Sequence, residues 1–320
     1  MPYSKKASSF VMFEPQLTLQ EYIDTRNEMW RASRGLSDFV SPEPFCWWTL
    51  TNIWRELDRT TCYVINTVMP RWQDGSPEQI LELAAFRSLG KIETDVAVTS
   101  RYGSWVTAVG IGWEAMYAAL PAKPLTGAYA RMIGTKRALW AGPIILRRGL
   151  HVQAAEVLCT RPDEAHRLLA DDTYLGNFVA AQVILDVTWR GGPFKPWNTG
   201  ALGPGAGHGL SLATGVDYLH TRRGNVEVEP AASAAAAALL PAVRAGTGSP
   251  RVAGRPAAFE QRELENVLCE YSRVARLMRF GRIASLRTYR PNGTPFDLAP
   301  TWSDPPKAGP EGPAPPGGRC

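Results

Sequence analysis

Apolar positions recur every three to four residues along most of this chain, and few segments alternate with the two-residue period of strands. The pattern predicts a mainly α fold. Leu19, Tyr22, Ile23, Met29 and Trp30 give a helix over 17–34 its apolar stripe, with Thr18 as cap, Glu21 as capping-box partner and Gly35 as terminator. A second helix is predicted over 45–61, with Leu50, Trp54 and Leu57 on one face. Asn52, Arg55 and Arg59 share another face, with Asp58 beside them. Further helices are expected over 77–89 (capped by Ser76), 103–119, from 127 to 132 onward, 161–170 (capped near Thr160, Pro162 in its first turn) and 174–187. The strongest stripe is Leu264, Val267, Leu268, Tyr271, Val274 and Leu277, in a helix over 259–280.

Asp186 falls near the C-terminal end of its helix, where an acid opposes the helix dipole and needs a compensating partner or a chemical task. Arg273, Arg276 and Arg279 lie on the 259–280 helix and Arg282 and Arg287 beyond it, as a solvated basic face or a phosphate-contacting one.

The run from Gly200 to Leu210, centred on Gly203-Pro204-Gly205, breaks the apolar pattern. Glycines permit close backbone approaches, and placed before a helix they free its N-terminal amides for a phosphate, as a helix–hairpin–helix element does with DNA. A tight chain-reversing turn explains the run equally well. The DNA-backbone candidates are Gly203, Gly205, Ala206, Gly207 and His208.

Composition narrows the class. The 320 residues are 45% hydrophobic and 20% charged, with a net charge of +5, which favours a polyanionic partner. Five scattered cysteines and four dispersed histidines indicate neither a disulfide frame nor a multi-histidine metal site. No apolar run of membrane-spanning length and no secretory leader is visible, so a cytoplasmic location is expected, the host cytoplasm for a phage protein. The organisation read from composition is an N-terminal arm over 1–16, a helical domain over 17–290 with an Ala/Pro/Gly/Arg-rich insertion at 230–258, and a Pro/Gly-rich disordered tail over 291–320.

The order of several pieces resembles the phage α-glutamyl/putrescinyl thymine pyrophosphorylases, also called amino acid:DNA transferases, and the helical module attached to 5-hydroxymethyl-deoxyuridine DNA kinases. The pieces are Arg26 with Arg34-Gly35, Asn52 to Arg59, Tyr174 to Asp186, Gly203-Pro-Gly-Ala206 and Glu265-Asn-Val-Leu-Cys-Glu270. Phe45-Cys-Trp-Trp-Thr49 stands where the family has Pro-Trp-Thr, and Ser272-Arg273 replaces its Lys-Tyr. The sequence contains no GxxxxGK[ST] phosphate loop, which favours the transferase over the kinase.

The resemblance implies a helix–hairpin–helix DNA-glycosylase-like architecture and a substitution on duplex phage DNA. A separate kinase first pyrophosphorylates 5-hydroxymethyluracil; the transferase then replaces pyrophosphate with an amine from an amino acid or polyamine. That chemistry needs arginines to hold the departing anion. Arg55 and Arg59 are the first candidates, with Arg26 and Arg273 as helpers. It also needs a carboxylate to take a proton from the amine. Asp186 and Asp58 come first, then Glu265 and Glu270, and Asn52 can bond the uracil edge or the amine. Direct displacement and elimination followed by addition are both open. A glycosylase-like pocket favours extrusion of the base. Magnesium is the ion that pyrophosphate would bring, although no dedicated acidic cluster is visible. A DNA N-glycosylase is the alternative enzyme, with Asp217 as its acid, and a non-catalytic DNA-binding module is the other alternative.

Overall fold

A computed structural model of the chain describes residues 12–33, 35–42, 45, 53, 54, 58–125, 135–171, 173, 175–188, 197, 202–222, 225–247, 249–252, 255, 256, 259–280 and 301–303. These residues are mainly helical, and the chain divides into two compact units.

The first unit comprises Met1–Asp58 and Gly200–Glu311. Its opening helix α1 (Leu19–Ser33) carries the expected capping box: Glu21 N–H donates to Thr18 Oγ1 (3.2 Å) and Thr18 N–H to Glu21 Oε2 (2.7 Å). Gly35, at φ 67°, ends the helix as its sequence predicts. The 45–61 helix is not continuous. Ile53 and Trp54 lie in a bend, both buried. Adjacent residues on a helix point about 100° apart, so a bend buries both more readily. Trp54 is fixed there by donating from Nε1 to Asn27 Oδ1 (3.1 Å) and by standing edge-on to Phe259.

The core of this unit forms around helix α13 (Gln261–Phe280), whose whole predicted stripe is buried. Tyr22 and Ile23 of α1 and Leu210 of the glycine-rich segment join the same cluster. The 230–258 stretch, expected as an insertion, contains helix α12 (Ala231–Gly246). Its Ala232, Ala236, Leu240 and Val243 are buried in that core, so this helix is part of the hydrophobic packing. Two short hairpin strands, β1 (Leu219–Arg222) and β2 (Asn225–Val228), pair antiparallel. Strands β3 (Ser249–Val252), β4 (Arg255–Pro256) and β5 (Thr301–Ser303) make a small antiparallel sheet in the order β4-β3-β5.

The second unit comprises Arg59–Thr199 with Gly312–Cys320. It starts with the short helix α2 (Arg59–Tyr63), a π-turn over Val64–Val68 and a 3-10 turn over Met69–Arg71. Helix α3 (Pro77–Leu89) is capped by Ser76, which accepts from Gln79 N–H (3.2 Å), and closed by Gly90 at φ 64°. Around it stand α4 (Ile92–Tyr102), α5 (Trp105–Ile111), α6 (Trp113–Ala119), α7 (Thr135–Arg147), α8 (Leu150–Leu158), α9 (Pro162–Ala170) and α10 (Gly176–Thr188). The single helix expected over 103–119 is two, broken at Gly112, whose φ of 132° no helix tolerates. The 127–132 expectation lies outside the described residues.

Candidate active site

The glycine run is where sequence and structure differ most usefully. Helix α11 (Pro204–Thr214) begins inside the run, with Gly203 as its N-cap. Any hairpin before it lies outside the described residues. The glycines inside the helix solve a packing problem, because α11 lies flat against α13. A Cβ added at Gly209 would stand 2.0 Å from the Leu268 carbonyl oxygen, and one at Gly205 2.7 Å from Cys269 Sγ. At Gly207 it would meet Leu219 and Val228 at 2.9 and 3.0 Å. Ala206, Gly207 and His208 are therefore corrected as DNA-backbone contacts: they are buried against protein. The His208 ring bonds through Nδ1 with Ser272 Oγ (2.8 Å) and meets Phe13 edge-on. Gly203 and Gly205 keep the helix start, where the first amides have no intrahelical acceptor.

Around that start a charged group assembles within the first unit. Glu265, Cys269, Arg273 and Arg276 follow one another along α13 at offsets of four, four and three, with Glu270 beside them. Glu265 Oε1 lies 3.9 Å from where a Cβ at Gly203 would sit. Glu270 is buried, and its Oε1 accepts from Arg273 Nη1. Its Oε2 is buried and meets no hydrogen-bond partner among the described residues. The hydroxyl of Tyr22, fully buried on α1, is in the same condition. Arg26 stands one turn beyond Tyr22, with Nη1 3.5 Å from Met29 Sδ.

Electrostatic effects link these residues. Burial pushes the Tyr22 phenol far above its ordinary value; Arg26 opposes that shift, while Glu270 and Cys269 add to it. Burial, then the like charge of Arg273, holds the Arg276 guanidinium below its usual range, and Cys269 opposes them. Two arginines that disfavour each other's charge in a half-buried setting are relieved by an anion between them.

Other predicted residues stand elsewhere. Asn52 and Arg55 lie outside the described residues. Asp58 is half-buried at the end of the first unit. Arg59 is exposed, 3.8 Å from Glu93 in the second unit. Asp217 is exposed, and its Oδ1 accepts from Leu219 N–H (3.0 Å), an arrangement that shapes the turn after α11.

Asp186 has the compensating partner its position requires. Arg87 Nε and Nη2 donate to its two carboxylate oxygens, each at 2.6 Å, and both side chains are buried. Arg87 also donates to Thr61 Oγ1 (3.4 Å). A carboxylate held on both oxygens by one guanidinium is a structural ion pair, which corrects its assignment as the leading proton acceptor. A second buried network in the same unit went unread in the sequence. Arg71 donates to Glu82 Oε1 (2.7 Å) and to both oxygens of Asp95 (2.7 and 3.2 Å). Tyr63 (2.5 Å) and Trp105 (2.7 Å) also donate to Asp95, and Val106 N–H (3.1 Å) to the other oxygen of Glu82. Tyr22 was legible only as an apolar stripe position, since nothing in a sequence tells where a phenol hydroxyl points.

Among the described residues no group of three or more His, Cys, Asp or Glu side chains could hold a metal ion. No described helix is long and apolar enough to cross a membrane. No curated protein and no solved structure matches the chain. The family model for the helical domain of 5-hmdU DNA kinases matches residues 21–281, which span α1 through α13 and the group around Glu270. The chain belongs to that family, the 5-hmdU DNA kinase helical domain.

Proposed function

We propose that the protein is a DNA-modifying transferase that replaces the pyrophosphate of pyrophosphorylated 5-hydroxymethyluracil with an amine. One observation supports this most: a buried carboxylate, Glu270, keeps one oxygen on Arg273 and the other unpaired, beside Arg276 and the start of α11. The family places the chain with DNA bearing 5-hydroxymethyluracil, and the arrangement combines what a displacement of pyrophosphate requires. Arg273 and Arg276, with Arg26 and, from outside the described residues, Arg55, meet the charge that grows on the leaving group. The helix start at Gly203 and Gly205 offers amides to a DNA phosphate.

In the reaction the neutral amine nitrogen attacks the methylene carbon on C5. A C–N bond forms, the C–O bond breaks, and its electron pair leaves with pyrophosphate. The alkylammonium product then gives its proton to Glu270. A kinase acting earlier would supply the substrate. Magnesium would travel with the pyrophosphate rather than occupy a site of its own. The glycosylase reading is the weaker one, because Asp217 spends its carboxylate on its own turn.

The test is incubation of the full chain with duplex DNA carrying pyrophosphorylated 5-hydroxymethyluracil and a mixture of amino acids and polyamines. Digestion to nucleosides and mass spectrometry then read the result. A nucleoside with an added amine, together with released pyrophosphate, supports the transferase. Unchanged bases sink it, and abasic sites would establish the glycosylase instead.

A further inference from the structure

Two buried polar atoms in the first unit lack partners, Glu270 Oε2 and Tyr22 Oη, and each residue influences the other's ionisation. An orphaned buried acceptor is costly, so natural proteins keep one chiefly where a ligand or water completes it. What completes this pair is constrained by chemistry. The Glu270 carboxylate can only accept, so the missing group must donate. Tyr22 Oη can accept a second N–H from the same donor. Acceptors for an anion are excluded at that oxygen, because a carboxylate repels one. The pyrophosphate thus belongs on the Arg273/Arg276 side, and the space at Glu270 Oε2 and Tyr22 Oη calls for a nitrogen bearing several hydrogens.

We propose that Glu270 Oε2 and Tyr22 Oη form the seat of the amine donor, a primary amine whose N–H groups bond both atoms. The assignment rests on the transferase reading and adds to it the position of the nucleophile. It also divides the labour on α13: Glu270 Oε1 stays with Arg273, linking the amine seat to the anion side through one side chain. Tyr22 and Arg26 lie one helical turn apart on α1, so α1 contributes to both sides as well.

The test is a titration of the full chain with glycine and with 1,4-diaminobutane, each alone, followed by ligand-observed NMR. A third titration uses the nucleoside 5-hydroxymethyl-2′-deoxyuridine, whose ring N3–H is the other N–H that could fill the seat. At least one amine should bind wild type. Glu270→Gln, which keeps shape and removes the charge, should weaken that amine by about tenfold or more, as loss of a charge-assisted hydrogen bond does. Tyr22→Phe should weaken it severalfold, and both variants should retain the wild-type melting temperature to within a few degrees. Absence of amine binding to wild type would mean that water fills the seat and would overturn the proposal. So would undiminished amine binding to Glu270→Gln, or a loss there of nucleoside binding alone. Failure of the transferase reading is separable: amine binding that depends on Glu270, with pyrophosphorylated DNA left unchanged, keeps the seat and removes the reaction.

Discussion

Each unit buries carboxylates beside arginines, and the two treat them differently. In the second unit every oxygen is answered: Asp186 by Arg87, Asp95 by Arg71, Tyr63 and Trp105, Glu82 by Arg71 and the Val106 amide. In the first unit Glu270 is answered on one oxygen only, and Tyr22 beside it not at all. Satisfied charge is architecture, because a complete set of partners leaves nothing for a ligand to offer. Unsatisfied charge at comparable burial marks where the protein is incomplete by itself. Burial, a strong charge or a place in a family motif does not separate the two cases, since Asp186 and Glu270 share all three. Hydrogen-bond accounting does.

The comparison breaks most visibly at Arg87. Arg87→Ala should destabilise the protein by about 3–5 kcal/mol, because it strands Asp186 as an unpaired buried charge. Urea unfolding reads this, and replacing both partners with apolar residues should recover much of the loss. A mild effect for Arg87→Ala would mean that Asp186 has another use and would return it to the candidate catalytic residues. Gly209→Ala comes next: a methyl group 2.0 Å from the Leu268 carbonyl forces α11 off α13, at a cost of roughly 3 kcal/mol by the usual scale of overpacking. Its melting temperature should fall accordingly.

Glu270→Gln should invert that pattern. Turnover in the amine-transfer assay should drop by about a hundredfold, in the range for a lost general base, while unfolding free energy moves by less than about 0.5 kcal/mol. A variant equally active but unstable would place Glu270 with the architecture of the second unit. The smallest effect belongs to Asp217→Ala. Losing its turn bond should cost about 0.5–1 kcal/mol and leave any turnover unchanged. Loss of base-release activity in that variant would restore its role as a glycosylase acid.

Much of this was legible beforehand, and the limits have physical causes. The α13 stripe, the Thr18–Glu21 capping box and the caps of α3 follow from contacts within a few residues. Arg26, Glu265, Glu270 and Arg273 were picked out by motif and charge, and the structure brings them to one unit. What escaped depends on distance along the chain. Asp186 asked for a partner, but Arg87 lies 99 residues away. The Arg71 network joins residues 11 and 24 positions apart, beyond any helical repeat. The glycines of α11 were recognisable as unusual, yet the surface they fit, α13, begins some fifty residues later and cannot be inferred from the run itself. Tyr22 reads as hydrophobic because its ring is; only packing shows that its hydroxyl is stranded.

The close contact of α11 with α13 also constrains how this sequence can drift. At position 209 the obstacle is backbone, which no neighbour can withdraw, so glycine there should persist among relatives that keep this helix pair. At position 205 the obstacle is the sulfur of Cys269, a side chain that can shrink. Positions 205 and 269 are therefore free to change together and barely free to change alone. Relatives should carry alanine or serine at 205 only where 269 has become glycine or alanine, leaving a paired substitution as the evolutionary trace of two helices held at backbone distance.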